Sequence, residues 1–447
     1  MQPFAPDVVR RVQTLCVVGV RFPALLLAAA LLPAVTPARA QVTIYVFDGS
    51  SNLLRFNSAA PQTILITRAI TGLQPGENLV GIDFRPATGG LYGVGSSSRL
   101  YLIDPQTGVS TQAGTGIFSI PLNGTFFGTD FNPVTDRLRI VSDADVSIRI
   151  NPDTAAITLD TPLTFAPGDA HAGGNPSVDS VAYTNSVSAG AGATTLFGID
   201  NALDVLVRIG GVDGMPSGNT GQLTTIGPLG VDTGVTCFDI GPDGAAYAAL
   251  TPGGFSTLNR IDLTTGAATA VGPIGNLVVA RGMAVAPVGA LEFAESGYSA
   301  VEGSTVATIS VRRVGGSFGE VTVAYATSDG SATAGSDYAA ASGALTFEDG
   351  ETAKSFNVTI MNDSAQEQPE EVNLTLSSPG GGAVLATRST AVLTITDNDL
   401  PFLPNVTCGV CGVGISAAAP LACAGLVALR RRARRRVANA RLTSIPS

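Results

Sequence analysis

The sequence predicts an all-β protein: a β-propeller of about five blades, then an immunoglobulin-like β-sandwich, with a transmembrane helix at the C-terminus. Three observations predict it. Between residues 43 and 287 a short motif returns every 45 to 57 residues. From Leu291 the texture changes to period-two alternation of apolar and polar residues. Composition favours turns over helices, with 53 Gly and 27 Pro against 13% charged residues and no Trp. At 447 residues the chain exceeds one ordinary domain. Its divisions fall at residues 1–40, 41–288, 289–399 and 400–447.

Residues 1–40 have the form of a secretory signal peptide. Arg10, Arg11 and Arg21 make a basic start, Leu25 to Val35 an apolar core, and Ala38-Arg39-Ala40 a small-residue cleavage site. The mature chain is therefore expected outside the cytoplasm, in the cell envelope, at the cell surface or released.

The repeats follow. Gly81-Ile82-Asp83-Phe84-Arg85-Pro86 returns as Gly128-Thr129-Asp130-Phe131-Asn132-Pro133, as Cys237-Phe238-Asp239-Ile240-Gly241-Pro242 and as Gly282-Met283-Ala284-Val285-Ala286-Pro287. A weaker copy runs from Ser180 to Asn185. Each opens a unit of four short strands with turns such as Asp104-Pro105-Gln106-Thr107-Gly108 and Asp262-Leu263-Thr264-Thr265-Gly266. Asp caps such a bend, Pro presets φ and Gly supplies φ > 0. Residues 43–73 hold only three strand runs, and Gly282–Pro287 is an opening strand with nothing after it. If that strand completes the first unit, the ring closes without a free edge; an open solenoid is the alternative. Asp83, Asp130 and Asp239 share one place on the strand expected to line the channel. They either hold a cation or satisfy backbone N–H groups between blades, and the second reading is preferred. His171, the sole histidine, is expected to be exposed. Without a second one, no Ser/His/Asp set forms that excludes it.

Residues of about 41–287, with Asp83-Phe84-Arg85-Pro86, Asn132-Pro133-Val134-Thr135-Asp136-Arg137-Leu138-Arg139-Ile140 and Ala182-Tyr183-Thr184-Asn185, resemble the bacterial domain-of-unknown-function family 4394. The resemblance implies a propeller-like fold in an exported setting, and no activity.

The second body alternates strictly, as in Thr305–Val311, Val321–Tyr325, Ser355–Ile360, Val372–Leu376 and Ala391–Ile395. About seven strands in this length describe a two-sheet sandwich. Val301-Glu302-Gly303, Ser328-Asp329-Gly330, Gly335-Ser336-Asp337-Tyr338, Glu367-Gln368-Pro369-Glu370 and Asp397-Asn398-Asp399, in that order, resemble the Calx-beta domain. The resemblance implies calcium held by loops at one end of the sandwich, with Glu302, Asp337, Asp363, Glu367, Glu370, Asp397 and Asp399 as ligands. Asn362 and Asn398 stand where the richest binders carry Asp, which implies fewer ions or weaker affinity. Ca2+ is the one expected cofactor; a solvated acidic end without metal is the alternative.

After residue 400 the chain carries Cys408-Gly409-Val410-Cys411-Gly412, an apolar run from Gly412 to Leu429, and an Arg cluster from Arg430 to Arg436. Eighteen residues in a helix reach about 27 Å, enough to cross a bilayer core, and the Arg cluster is expected to stay cytoplasmic. The arrangement resembles the C-terminal sorting signals of Gram-negative envelope proteins, which implies transient contact with the inner membrane; a plain transmembrane anchor is the alternative. Cys408 and Cys411 have no second pair to complete a zinc site.

Of the 25 basic residues, 11 lie before Gln41 or after Leu429, against one of the 35 acidic residues, so the body between carries a net charge near −20. That argues against nucleic acid as a partner and fits a surface that attracts cations. The function expected is non-enzymatic: an exported calcium-binding surface protein in adhesion, cell communication or matrix interaction, with a surface glycan or protein as ligand. A secreted propeller hydrolase of lactonase or esterase type, with a channel carboxylate–metal site, is the alternative.

Overall fold

The computed structural model describes residues 41–187 and 192–399. The predicted signal peptide, and the predicted sorting motif, transmembrane helix and Arg-rich tail, lie outside the described residues. Among those described, no helix is long and apolar enough to cross a membrane. The described chain divides into two compact units. The small one consists of residues 363–368 and those from Asp397 onward; the large one is the rest.

Five sheets make the first body of the large unit. Leu79–Phe84, Phe127–Asn132, Val178–Tyr183 and Val235–Ile240 each begin an antiparallel meander of four strands. The third meander gains a fifth strand where Thr164–Phe165 pairs in parallel with Gln222–Pro228. The remaining sheet joins the two ends of the propeller sequence: Ala280–Val285 pairs antiparallel with Thr43–Asp48, followed by Asn52–Asn57 and Ala60–Ala69. Each inner strand packs on the next, and Ala280–Val285 packs back on Leu79–Phe84. The expected closure therefore holds, with five blades and no inner strand left at a free edge.

The glycine heading the repeated motif has a steric cause. A Cβ on Gly81 would stand 2.3 Å from Thr129 Cγ2, and one on Gly128 would stand 2.7 Å from the Ser180 Cα of the next blade. Neighbouring inner strands approach too closely for a side chain there. The turns also form as expected. Asp104 Oδ1 accepts from Gln106 N at 2.8 Å, Asp262 Oδ1 accepts from Thr264 N at 2.8 Å, and Gly108 and Gly266 take φ of 78° and 83°.

The second body is a sandwich. One sheet runs Ala353–Thr359, Val306–Val314, Ala290–Phe293 and Val384–Leu385. The other runs Gly297–Val301, Thr390–Thr396, Glu370–Gly380, Val321–Asp329 and Ser342–Phe347. Nine strands form where about seven were expected. The chain enters in one sheet, breaks at Ala294–Ser296 and crosses to the other. A two-residue strand at Val384–Leu385 is too short to show alternation. Inward residues such as Leu291, Ile309, Val323, Phe347, Val358, Leu374 and Leu393 fill the core.

Phe318 of the sandwich sits in an apolar cluster with propeller residues. Its ring meets Tyr45 edge-on at 5.7 Å and Phe84 at 5.4 Å, a geometry worth about 0.5–1.5 kcal/mol per pair beyond burial. Arg313, 3% exposed, donates to the carbonyls of Val288 and Phe318 at 2.6 Å each. It thereby fixes both the connection between the bodies and the loop bearing Phe318. Burial pushes its pKa down to about 10. The sandwich meets the propeller at the side where the inner strands end, and the side where they begin carries a separate cavity.

Candidate metal site

In the large unit, the predicted ligands Glu302, Asp337 and Glu370 stand at strand ends of the sandwich. Glu302 follows Gly297–Val301, is buried, and donates its N–H to Thr396 O at 2.9 Å. Glu370 opens Glu370–Gly380 opposite Ile395. These two residues therefore flank the last residues of Thr390–Thr396. Asp337 lies in the loop after Asp329, where its Oδ2 accepts from Thr333 N at 2.6 Å. An oxygen of Asp337 and one of Glu370 come within 4.8 Å of each other. Two like charges this close repel unless a proton or cation lies between them.

Asp329 shapes this loop, and sequence reasoning gave it no role. Its Oδ1 accepts from Tyr338 Oη at 2.7 Å and from Ala334 N at 2.9 Å. The Tyr338 hydroxyl, then the Ala334 N–H, hold its carboxyl below the usual range. The signal was present as Asp329-Gly330 eight residues before Asp337-Tyr338, but that spacing shows no pairing until the loop folds back.

The small unit holds Asp363, Glu367, Asp397 and Asp399. Asp397 binds its neighbours with both oxygens: Oδ2 accepts from Glu367 N at 3.0 Å, and Oδ1 from Asp399 N at 2.6 Å. Oxygens of Asp397 and Asp399 lie within 4.8 Å of each other, and Asp399 Oδ2 is buried without a hydrogen-bond partner. Asp363 is engaged locally, its Oδ1 accepting from Ala365 N at 2.6 Å. All seven predicted side chains offer only carboxylate oxygen. That donor set fits Ca2+, which takes six to eight hard oxygens, and suits zinc poorly.

The propeller aspartates do converge. One oxygen from each of Asp83, Asp130 and Asp239 lies within 4.8 Å of the others, and all three are buried. They also bridge blades. Asp83 accepts from Phe84 N at 2.7 Å and Phe131 N at 2.6 Å; Asp239 accepts from Ile240 N at 2.6 Å and Val285 N at 2.5 Å. Asp130 accepts from Tyr183 N. Burial raises all three carboxyls, Asp239 to about 7, and mutual repulsion adds to this for Asp83 and Asp130.

Other motif residues are ties between blades. The Arg85 guanidinium grips Asp136 and Asp153 of the next blade at 2.5 and 2.6 Å. Arg139, 1% exposed, pairs with Asp160 at 3.0 Å and donates to Tyr183 Oη at 2.8 Å across a blade boundary. His171 is half-buried, not exposed as expected. Its Nδ1 lies 3.0 Å from Thr225 Oγ1, and Thr225 in turn donates to both Asp169 oxygens. Cys237 is a buried thiol whose pKa burial raises, as expected of a small apolar filler.

A second buried carboxyl was missed. Asp179 accepts from Thr236 Oγ1 and from Asn201 Nδ2, the latter at 2.9 Å, and burial pushes it up to about 7. It lines a cavity of about 210 Å³ where the inner strands begin, with Asp48, Asn78, Thr125, Thr236 and Arg281. Its strand carries the weak copy of the repeat, the third of five in chain order, which hid the residue from the motif.

Similarity to known proteins falls into two parts. The Calx-beta domain model matches residues 286–399. Adhesion G-protein coupled receptor V1 of Danio rerio is 34% identical over 135 residues, covering 30% of this chain and 2% of that protein. Sodium/calcium exchanger 1 of Bos taurus is 34% identical over 131 residues, covering 25% of this chain and 14% of that protein. The chain thus spans a small fraction of either relative. The apo-form Calx CBD1 domain is 29% identical, covering 24% of this chain and 96% of that structure with a TM-score of 0.24. For the propeller, the Domain of unknown function (DUF4394) model matches residues 52–284, more than half of the chain. The chain belongs to the DUF4394 family, and carries a Calx-beta domain behind its propeller.

Proposed function

We propose that this is an exported, non-enzymatic surface protein in which the Calx-beta sandwich binds Ca2+ and the propeller recognises a surface glycan or protein, in adhesion, cell communication or matrix interaction. One observation carries the calcium reading: like-charged carboxylates crowd at strand-end loops, as in Asp337 with Glu370 and Asp397 with Asp399. A bound cation turns that repulsion into attraction and draws the loops together. The net charge near −20 favours cation capture over nucleic acid. The cavity beside Asp179 and Arg281 is where the propeller would meet its ligand. Burial and backbone bonding of Asp83, Asp130 and Asp239 support a role other than hydrolysis.

Calcium titration of the full chain by calorimetry tests this reading. The wild type should bind with saturation, and Asp337→Asn with Glu370→Gln should weaken or remove a binding event. Equal binding in wild type and double variant would refute these ligands.

A further inference from the structure

Seen along the propeller axis, the place of Asp83 is taken on the other inner strands by Asp130, Ala182, Asp239 and Ala284. Three carboxylates thus face one another in a ring of five, each at most 5% exposed. Bridging between blades accounts for the oxygens of Asp83 and Asp239, each holding one backbone N–H. A carboxylate oxygen bonded to one N–H keeps a second lone-pair direction. For Asp130 the bridging role is incomplete. Tyr183 N–H serves the residue, yet Oδ1 is buried without a partner. A bond between the Asp130 and Asp239 carboxyls forms only when one of them holds a proton. With all three ionised, Asp130 has an oxygen within 4.8 Å of two other negative groups, an arrangement that a buried site tolerates only with a counter-charge.

We propose that Asp83, Asp130 and Asp239 hold one Ca2+ ion on the propeller axis, separate from any calcium bound by the sandwich. The donors are hard oxygens with three negative charges, a set matched to a hard dication. Oxygens within 4.8 Å of one another are close enough to share one ion at calcium bonds of about 2.3–2.6 Å. Three inner strands share the ion, so it clamps three of the five blades together. The two alanines, Ala182 and Ala284, keep the ring from crowding five acids around one ion.

The test is a count of bound Ca2+ on the full chain by equilibrium dialysis, for wild type, Asp130→Asn and Asp337→Asn. An amide at 130 still accepts from Tyr183 N–H but loses the charge. Asp130→Asn should bind one ion fewer than wild type, and its loss should add to any loss from Asp337→Asn. An unchanged count in a folded Asp130→Asn protein overturns the proposal, leaving shared protons as the counter-charge. Should that variant not fold, wild-type crystals grown with Mn2+ decide instead. An anomalous peak between the three aspartates supports the site, and its absence at saturating Mn2+ refutes it. Loss of the sandwich ions alone, through Asp337→Asn, bears only on the preceding proposal.

Discussion

Asp179 sits where the start of an inner strand meets a cavity of mixed polar and apolar lining, so its carboxyl is buried yet close to water. Thr236 and Asn201 donate to it, Asp200 adds a like charge, and burial prevails. Its folded pKa of about 7 exceeds the unfolded value of about 3.9. Between those values the folded chain binds more protons than the unfolded one. Its contribution to stability is therefore greatest below about pH 4 and declines as pH rises through about 7. Thermal melting from pH 4 to 8 should show that decline, and Asp179→Asn should make it shallower, the raised carboxyls of Asp83, Asp130 and Asp239 keeping part of it. A wild-type profile already flat across this window would mean that Asp179 stays ionised in the fold.

Among the strands, the tight contacts of the inner ring decide most. Gly128→Ala places a Cβ 2.7 Å from the Ser180 backbone, with no flexible side chain to yield. The strain should cost about 1–3 kcal/mol, measured as a lower propeller melting temperature; an unchanged one would show that the strands can separate there. Much of this level could be read from sequence. The glycine and the aspartate each recur in three of the five blades, the glycine where neighbouring inner strands approach closely, the turn residues recur with them, and a missing first strand announced the closure. Ties between blades stayed hidden. Arg139 reaches Tyr183 and Asn219, 44 and 80 residues away, and nothing in local periodicity reports such a distance. The strand-end placement of the sandwich carboxylates Glu302, Asp337 and Glu370 was legible through the order of their motifs, whereas the role of Asp329, which acts on a loop through Tyr338, was not.

Across the whole molecule, the two bodies are coupled through Phe318, wedged against Tyr45 and Phe84 and held by Arg313. Phe318→Ala should separate the melting transitions of propeller and sandwich and expose the 287–289 connection to protease. Superimposable calorimetric traces for variant and wild type would show that the wedge does not couple them. Calcium, in the proposed function, is a structural partner of the sandwich. A ligand that binds only the folded state stabilises it by about 2.7 kcal/mol at one hundred times Kd. Calorimetric melting of the full chain in Ca2+ and in EDTA tests this most directly. The sandwich transition should rise with Ca2+ in the wild type and rise less or not at all in the Asp337→Asn, Glu370→Gln variant. A sandwich transition that is identical in Ca2+ and EDTA would contradict the account.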